Sequence, residues 1–306
     1  MYKKEKIKRL LRKISVVSVL FILFLMAVLD TFGILTYERI AVFLKLRDSA
    51  FSSAEVSVHF IDVGQGDSTL IISGENTVLI DAGEKEYGDK VASYLKSQGI
   101  EQIDYIIATH PHSDHIGGIE NVIENFSTGG IIVPHLTETA SDDLYLYRCL
   151  AESAAKNKVP LIEAFSGMEL SLDCSVLRII APLGEYENIN SCSVVSELVH
   201  GENIFLFTGD AEAESEADML RGGVLEDVDV LKAGHHGSST STCGEFLEII
   251  KPEFTVISCG AGNSYNHPSE SVMRSLDSLG VQIFRTDLQG NIIAESDGEK
   301  ISFNFS

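Results

Sequence analysis

Thr109-His110-Pro111-His112-Ser113-Asp114-His115 is the stretch on which the reading of this chain turns. It gathers three of the nine histidines within six residues and sets an aspartate among them. Imidazole and carboxylate are the ligands that zinc or manganese takes. The stretch leaves an apolar run at residues 105–108, a short buried strand, and a helix opens behind it over residues 116–123. On such a strand-to-helix turn His110 and His112 can point the same way, while Asp114 and His115 face a second ion close by. Two ions about 3.5–4 Å apart can clamp the attacking and leaving oxygens of a displacement and lower the pKa of bound water. A merely solvated histidine-rich turn would not come straight off an apolar strand.

Further along, three more apolar strands end in candidate ligands. Leu206-Phe207-Thr208-Gly209-Asp210-Ala211 places a carboxylate at a sheet edge, suited to bridging two ions. Val230-Leu231-Lys232-Ala233-Gly234-His235-His236-Gly237-Ser238 ends in a histidine pair, with glycines that let the backbone approach a ligand closely. Tyr265-Asn266-His267-Pro268 follows the strand at residues 254–258 and precedes a helix. Singly, each could be an ordinary loop residue, and Gly-Asp is a common turn pair. The repetition is what points to a site. Upstream, Asp81 ends the apolar strand Val78-Leu79-Ile80 and is suited to orienting a ligand histidine by accepting its other N–H; a strand-end turn aspartate is the plain alternative.

Around these motifs the chain alternates short β runs and helices. Strands are expected at 56–63, 68–72, 77–80, 131–133, 176–180, 194–198, 204–208, 228–232 and 254–258, with three more near 281–285, 291–295 and 300–304. Helices are expected at 90–97, 142–156, 212–220, 244–250 and 269–279. This pattern predicts an α/β (α+β) chain of two sheets covered by helices, with no dinucleotide-binding glycine fingerprint. His59 reads as a strand residue, His135 as a loop residue, and His200 as a solvent-exposed hairpin-turn residue.

Charge is distributed unevenly. The 306 residues carry a formal −22, but residues 1–13 hold seven Lys or Arg and one Glu, leaving 16 basic against 44 acidic residues, a net −28. Such an acidic body is not the footprint of a protein that grips nucleic acid through its surface. Five scattered cysteines without a CxxC pair rule against a zinc ribbon, and Cys192 and Cys259 read as buried, inert thiols. The basic run is followed by a mostly apolar segment, residues 14–36, long enough to span a bilayer. Basic residues stay in the cytoplasm, so the expected organisation is a basic tail (1–13), a single-pass membrane anchor (14–36), a stalk (37–54) and an extracytoplasmic hydrolase domain (55–306). Secretion after signal cleavage is the alternative.

Together, His110-x-His112-x-Asp114-His115, Asp81 before it and Gly209-Asp210 after it resemble the metallo-β-lactamase superfamily over roughly residues 55–305. The finer resemblance is to the hydrolase domain of the ComEC competence proteins, here as a stand-alone relative. It is carried by Phe60-Ile61-Asp62-Val63-Gly64-Gln65-Gly66-Asp67-Ser68, residues 190–193, Thr208-Gly209-Asp210-Ala211-Glu212, the 232–238 motif and Asn266-His267-Pro268. The resemblance implies a four-layer αββα sandwich with the site at one edge of the sheets, two divalent ions (zinc or manganese), and phosphodiester hydrolysis. It implies His110, His112, Asp114, His115, Asp210 and His267 as metal ligands, with Asp81, Asn190 and Ser193 supporting them from behind. His235 or His236 would then approach the substrate and join Asp114 as a catalytic group, although the reverse assignment of the late histidines is equally open. Most of the superfamily has another histidine between the first motif and the bridging aspartate. Here only Asn190, Ser191 and Ser193 stand in that region, so one ion should be held less firmly than the other.

The resulting expectation is a phosphodiesterase or nuclease that acts on DNA, an oligonucleotide or a nucleotide through a metal-activated hydroxide, with no protein partner. The acidic surface suits a short substrate better than a long polyanion. Ester, lactone or β-lactam hydrolysis on the same fold is one alternative, since fold does not fix substrate. A non-catalytic surface module that uses metal for stability is another.

Overall fold

Alternation along the strands builds two sheets that share one core. A computed structural model describes residues 55–136 and 143–306, within a compact unit spanning Ser53–Ser306. In the first strand, Val56–Phe60 (β1), the side chains of Val56, Val58 and Phe60 enter the central core. Thr69–Ser73 (β2) and Asn76–Ile80 (β3) follow, and their residues divide by parity. Ile71, Val78 and Ile80 face the other sheet, whereas Leu70 and Leu79 face the helices outside. The short pair Gln102–Ile103 (β4) and Ser127–Thr128 (β6) stands apart. Tyr105–Ile107 (β5), Ile131–Val133 (β7) and Leu161–Glu163 (β8) add parallel strands beyond β3. Glu169–Ser171 (β9), Val176–Ala181 (β10), Val195–His200 (β11), Asn203–Phe207 (β12), Val230–Lys232 (β13), Phe254–Ile257 (β14) and Gln282–Arg285 (β15) form the second sheet. Ile292–Ser296 (β16) and Ile301–Phe305 (β17) return to the first, giving the order β17-β16-β1-β2-β3-β5-β7-β8 beside β15-β14-β13-β12-β11-β10-β9.

Strands buried on both faces need covering layers. Helices Gly88–Ser97 (α1), Ile119–Asn125 (α3) and Asp143–Asn157 (α4) cover the first sheet; between α1 and α3 lies the single turn Ser113–Ile116 (α2). Ala213–Gly222 (α5), Gly244–Ile250 (α6) and Glu270–Leu279 (α7) cover the second, with Met219, Phe246, Leu247 and Leu276 against Leu206, Leu231 and Ile257. The four-layer αββα arrangement expected from the sequence is the one observed. A last turn, Thr286–Gln289 (α8), links β15 to β16.

The helix expected over 116–123 is interrupted. Gly118 lies so close to the Ala82 carbonyl that a Cβ there would collide with it, and its amide donates to Gly83 O at 2.9 Å. That contact separates α2 from α3 and locks the histidine-bearing turn against the end of β3. Two short edge strands, β8 and β9, were not expected because each is only three residues long and has exposed ends, too short to show an alternation. The expectation for His200 is corrected. It is the last residue of β11, only 4 % exposed, with Nδ1 2.8 Å from the Ser296 hydroxyl, which itself donates to Asn203 Oδ1 at 2.7 Å. This small polar network ties the two sheets together. His59 lies in β1 and His135 in a loop, as read from the sequence, and both Cys192 and Cys259 are buried. Burial pushes the Cys259 thiol up to about 12, which keeps it protonated and inert.

The tail, anchor and stalk expected at residues 1–54 lie outside the described residues. No helix among the described residues is long and apolar enough to cross a membrane.

Candidate metal centre

Strands β1, β3 and β5 run in one direction, as do β12, β13 and β14. Their carboxyl ends deliver the chemistry-bearing residues to one edge. Immediately after β3, Asp81 adopts φ 57° and turns its fully buried carboxylate under the end of β5. There Oδ1 accepts the Thr109 amide at 2.9 Å, and Oδ2 accepts the Thr109 hydroxyl at 2.6 Å and His115 Nδ1 at 2.7 Å. Burial pushes the Asp81 carboxyl upward, against the pull of His115. Burial also opposes charge on His115, yet the Asp210 and Asp81 carboxylates hold its pKa well above the usual histidine value. With Nδ1 committed to Asp81, His115 presents Nε2 to Asp210 Oδ1 at 3.2 Å.

Asp210 stands at the centre. Gly209 before it has φ 52° and lies against Thr109 and Ser193, where a Cβ would be crowded, so glycine lets the two strand ends meet. The Asp210 amide donates to Ser193 Oγ at 3.1 Å, and the same hydroxyl lies 3.3 Å from His110 Nδ1. Ser193 thus touches both Asp210 and His110. Around Asp210 Oδ2 stand His110 Nε2 at 3.8 Å, His235 Nε2 at 3.6 Å and His236 Nε2 at 3.7 Å. Burial raises the Asp210 carboxyl, but the surrounding histidines, His115 foremost, hold it well below the usual carboxylate range.

Two groups of ligand-type atoms result, each with its atoms within 4.8 Å of one another: His110, His112 and Asp210, and Asp67, His115, Asp210 and His236. They share Asp210. Asp67 reaches the second group from the β1–β2 loop because Gly66 packs on the Asp114 carbonyl, where any Cβ would clash, and the Asp67 amide donates to that carbonyl at 3.0 Å. Its Oδ2 is paired with the buried ammonium of Lys232. His236 is fixed from behind by Ser258 O, 3.0 Å from Nδ1, and its Nε2 lies 3.1 Å from Asp114 Oδ2. Burial opposes charge on His236, but Asp210 and Asp67 raise its pKa. The Asp114 carboxyl, raised by burial, is brought well below its usual range by the His236 hydrogen bond and by His115. His110 goes the other way: burial and the neighbouring His115 push it well below the ordinary value.

These residues fit divalent cations. Asp67 Oδ1, His115 Nε2 and Asp210 Oδ1 are buried without a well-formed hydrogen bond, the last two merely facing each other at 3.2 Å, and all three residues belong to the second group. Buried polar atoms without partners are costly and rare. Here they converge with His236 on one place, as a nitrogen–oxygen donor set for zinc or manganese does. The first group offers three donors against four residues in the second, in keeping with the missing histidine near residues 190–193.

Asp114, expected among the ligands, belongs to neither group and lies against His236 instead. His267, expected likewise, also joins neither group. Its ring lies 5.6 Å from that of His235 and 6.4 Å from that of His236, and His236 occupies the ligand-like position. Asn190 also differs from expectation. Instead of backing a ligand, its Nδ2 donates to Glu212 Oε1 at 3.0 Å, while Asn188 Nδ2 donates to Oε2 at 2.6 Å. Glu212 Oε1 in turn lies 3.2 Å from His235 Nδ1, and Thr240 Oγ1 is equally close. His235 and His236 both adopt left-handed φ, 48° and 55°. Each such residue costs of order 1–3 kcal/mol and persists where the surroundings enforce it. A cavity of about 400 Å³ opens over the groups, lined among others by His112, Asp114, Asp210, His235, His236 and His267.

Sequence reading missed Asp67, Lys232, Thr109 and Glu212 as parts of the centre. Asp67 was visible only as one residue of a glycine-rich loop. Lys232 ends an apolar strand, and a lysine buried at such an end is a signal of a buried anion nearby.

Comparison with known proteins agrees with this geometry. The profile of the metallo-beta-lactamase superfamily matches residues 61–261. ComE operon protein 3 of Bacillus subtilis is 31% identical over 260 residues, covering 78% of this chain and 33% of the relative. Competence protein ComA of Neisseria gonorrhoeae is 31% identical over 258 residues (82% and 34%), and recombination protein 2 of Haemophilus influenzae 28% over 270 (86% and 31%). The chain thus spans about a third of the length of these relatives. Among solved structures, the metallo-beta-lactamase fold protein YhfI of Bacillus subtilis superposes with TM-score 0.52 at 12% identity, covering 81% of this chain and 100% of that one.

Proposed function

The chain belongs to the metallo-β-lactamase superfamily, and from that premise we propose that it is a phosphodiesterase acting on nucleic acid or nucleotides outside the cytoplasm. The observation that carries the reading is the pair of ligand groups sharing Asp210 at the floor of the cavity, with His235 Nε2 beside them. The relatives' names, competence and recombination proteins, favour a nucleic-acid substrate. The basic run before residues 14–36 favours an anchored domain on the outer side.

His110, His112 and Asp210 would hold one ion, and Asp67, His115, Asp210 and His236 the other, with Asp114 beside the second. Divalent ions there supply Lewis acidity, acidifying water and neutralising charge on phosphoryl oxygens. The chain's own groups do the rest. Asp81 and Thr109 hold His115 in one tautomer. Ser258 does the same for His236, so neither ring has to reorganise during the reaction. His235 has Nδ1 occupied by Glu212 and Thr240, which leaves Nε2 on the cavity side to donate to the oxygen leaving phosphorus.

The described cavity wall includes no lysine or arginine, which favours a second reading, hydrolysis of an uncharged ester or lactam. Full-length protein loaded with manganese or zinc should be assayed on methyl 4-nitrophenyl phosphate, single-stranded DNA, 4-nitrophenyl acetate and a chromogenic β-lactam. Turnover of the phosphodiesters, lost in Asp210→Ala, is the expected result. Turnover of the acyl substrates alone would replace the reading, and none at all would leave a metal-stabilised module. Protease shaving of the catalytic unit from intact cells tests its location.

A further inference from the structure

Tyr265 is a large aromatic held in the open beside the metal centre. It is 66% exposed and lines the same cavity as His235, His236 and His267. A single exposed aromatic is ordinary on a protein surface. This one is set by a constructed loop. Asn263 Oδ1 accepts the amides of Tyr265 at 3.1 Å and His267 at 3.0 Å, while its Nδ2 donates to His267 O at 2.6 Å and Gly260 O at 2.9 Å. Gly260 N donates to the Gln65 side chain at 3.0 Å, which ties the loop to the opposite β1–β2 segment, and Gln65 also lines the cavity. The Tyr265 ring stacks on that of His267, with centroids 5.7 Å apart and planes 28° from parallel. One face of the aromatic pair is thus braced from inside and the other end is left to solvent.

We infer that Tyr265 is the stacking platform for a nucleobase of the substrate, so that the site takes a nucleotide diester by its base as well as by its phosphate. The inference rests on the phosphodiesterase reading. With no lysine or arginine on the described wall and an acidic body, surface charge gives a polyanion little attraction. Base stacking supplies affinity without charge and tolerates any base, since each has a π face. The cavity volume of about 400 Å³ falls within the range of small-molecule sites, roughly 300–1,000 Å³. A short nucleotide, not a long strand, matches those dimensions.

The test uses manganese-loaded full-length protein, with Tyr265→Ala and Tyr265→Phe. Binding of thymidine 5′-monophosphate is measured by calorimetry. Hydrolysis is compared on thymidine 5′-(4-nitrophenyl phosphate) and methyl 4-nitrophenyl phosphate, which share a leaving group and differ in carrying a nucleoside or a methyl group. Tyr265→Ala should weaken nucleotide binding about 10- to 100-fold and reduce the preference for the thymidine ester by a similar factor, through KM. Tyr265→Phe keeps the ring and should retain both. Equal affinity in wild type and Tyr265→Ala, or no binding of the nucleotide by the wild type, overturns the inference. If neither ester is hydrolysed, the phosphodiesterase reading fails, while the calorimetry still decides whether Tyr265 binds the base.

Discussion

The Nδ1 of His115 lies 2.7 Å from the Asp81 carboxylate, which also holds the amide and hydroxyl of Thr109. One buried anion therefore sets the orientation of a ligand-type histidine and clamps the strand end that delivers His110. Asp81→Asn keeps the shape and tolerates the left-handed backbone, but it loses the anion that polarises the imidazole. Metal affinity should fall about 10- to 100-fold. Competition against a chromogenic chelator measures this, and unchanged affinity would show that His115 needs no such partner.

Asp67 and Lys232 form an ion pair with both side chains almost wholly buried. Lys232→Met removes the countercharge and leaves Asp67 beside His115, His236 and the like-charged Asp210. Breaking a buried pair from one side costs about 3–5 kcal/mol, which urea unfolding of the metal-free variant should register. If Asp67 belongs to the second ligand group, a bound divalent ion supplies the missing positive charge. Manganese should then recover part of the loss. An equal loss in the presence and absence of metal would remove Asp67 from the group.

Glu212 connects Asn188 and Asn190 to His235. If the asparagines act only by aiming that carboxylate, their effect must pass through it. Glu212→Gln should lower kcat by up to about 100-fold, as misplacement of a positioned group does, with a smaller change in KM. Asn190→Ala alone should cost less, and adding it to Glu212→Gln should cost nothing further. Additive losses in the double variant would mean that Asn190 acts on the site by another route.

What the sequence revealed follows from how local each feature is. The strand periodicity, the helix-covered sheets and the triple occurrence of an apolar strand ending in a ligand-type residue are all written in short windows. So are Asp81 and Ser193, which lie next to motifs. Asp67 and Lys232 are 165 positions apart in the numbering and meet only because β1 and β13 end at the same edge of different sheets. Neither shows alone what it will pair with. His236 and His267 could not be ranked for a related reason. Their order depends on the left-handed backbone at His235 and His236, a conformation that tertiary contacts impose and local propensity opposes. His200 was misjudged because a Gly-containing hairpin reads as exposed, whereas the opposite sheet covers this one.

His59 makes the acid stability of the metal-free fold predictable. It is 4 % exposed in β1, with Nε2 2.9 Å from Ser57 Oγ and Nδ1 2.8 Å from the Tyr94 hydroxyl. Burial lowers its pKa from 6.5 to about 4. The unfolded chain therefore takes up this proton near pH 6.5, and the folded chain does so only near pH 4. Between those values the unfolded state binds more protons, so stability falls as pH falls. Above pH 6.5 the contribution is fully present; by pH 4 its loss reaches on the order of 3 kcal/mol. His59→Gln removes the titration while leaving a hydrogen-bonding group in the strand. Its stability at pH 7 should be somewhat lower than that of the wild type, but its slope from about pH 6 to 4.5 should be shallower by about 1 kcal/mol per pH unit. Urea unfolding of both proteins with chelator present measures the two slopes. Parallel curves would show that His59 takes up its proton inside the fold near its ordinary pKa.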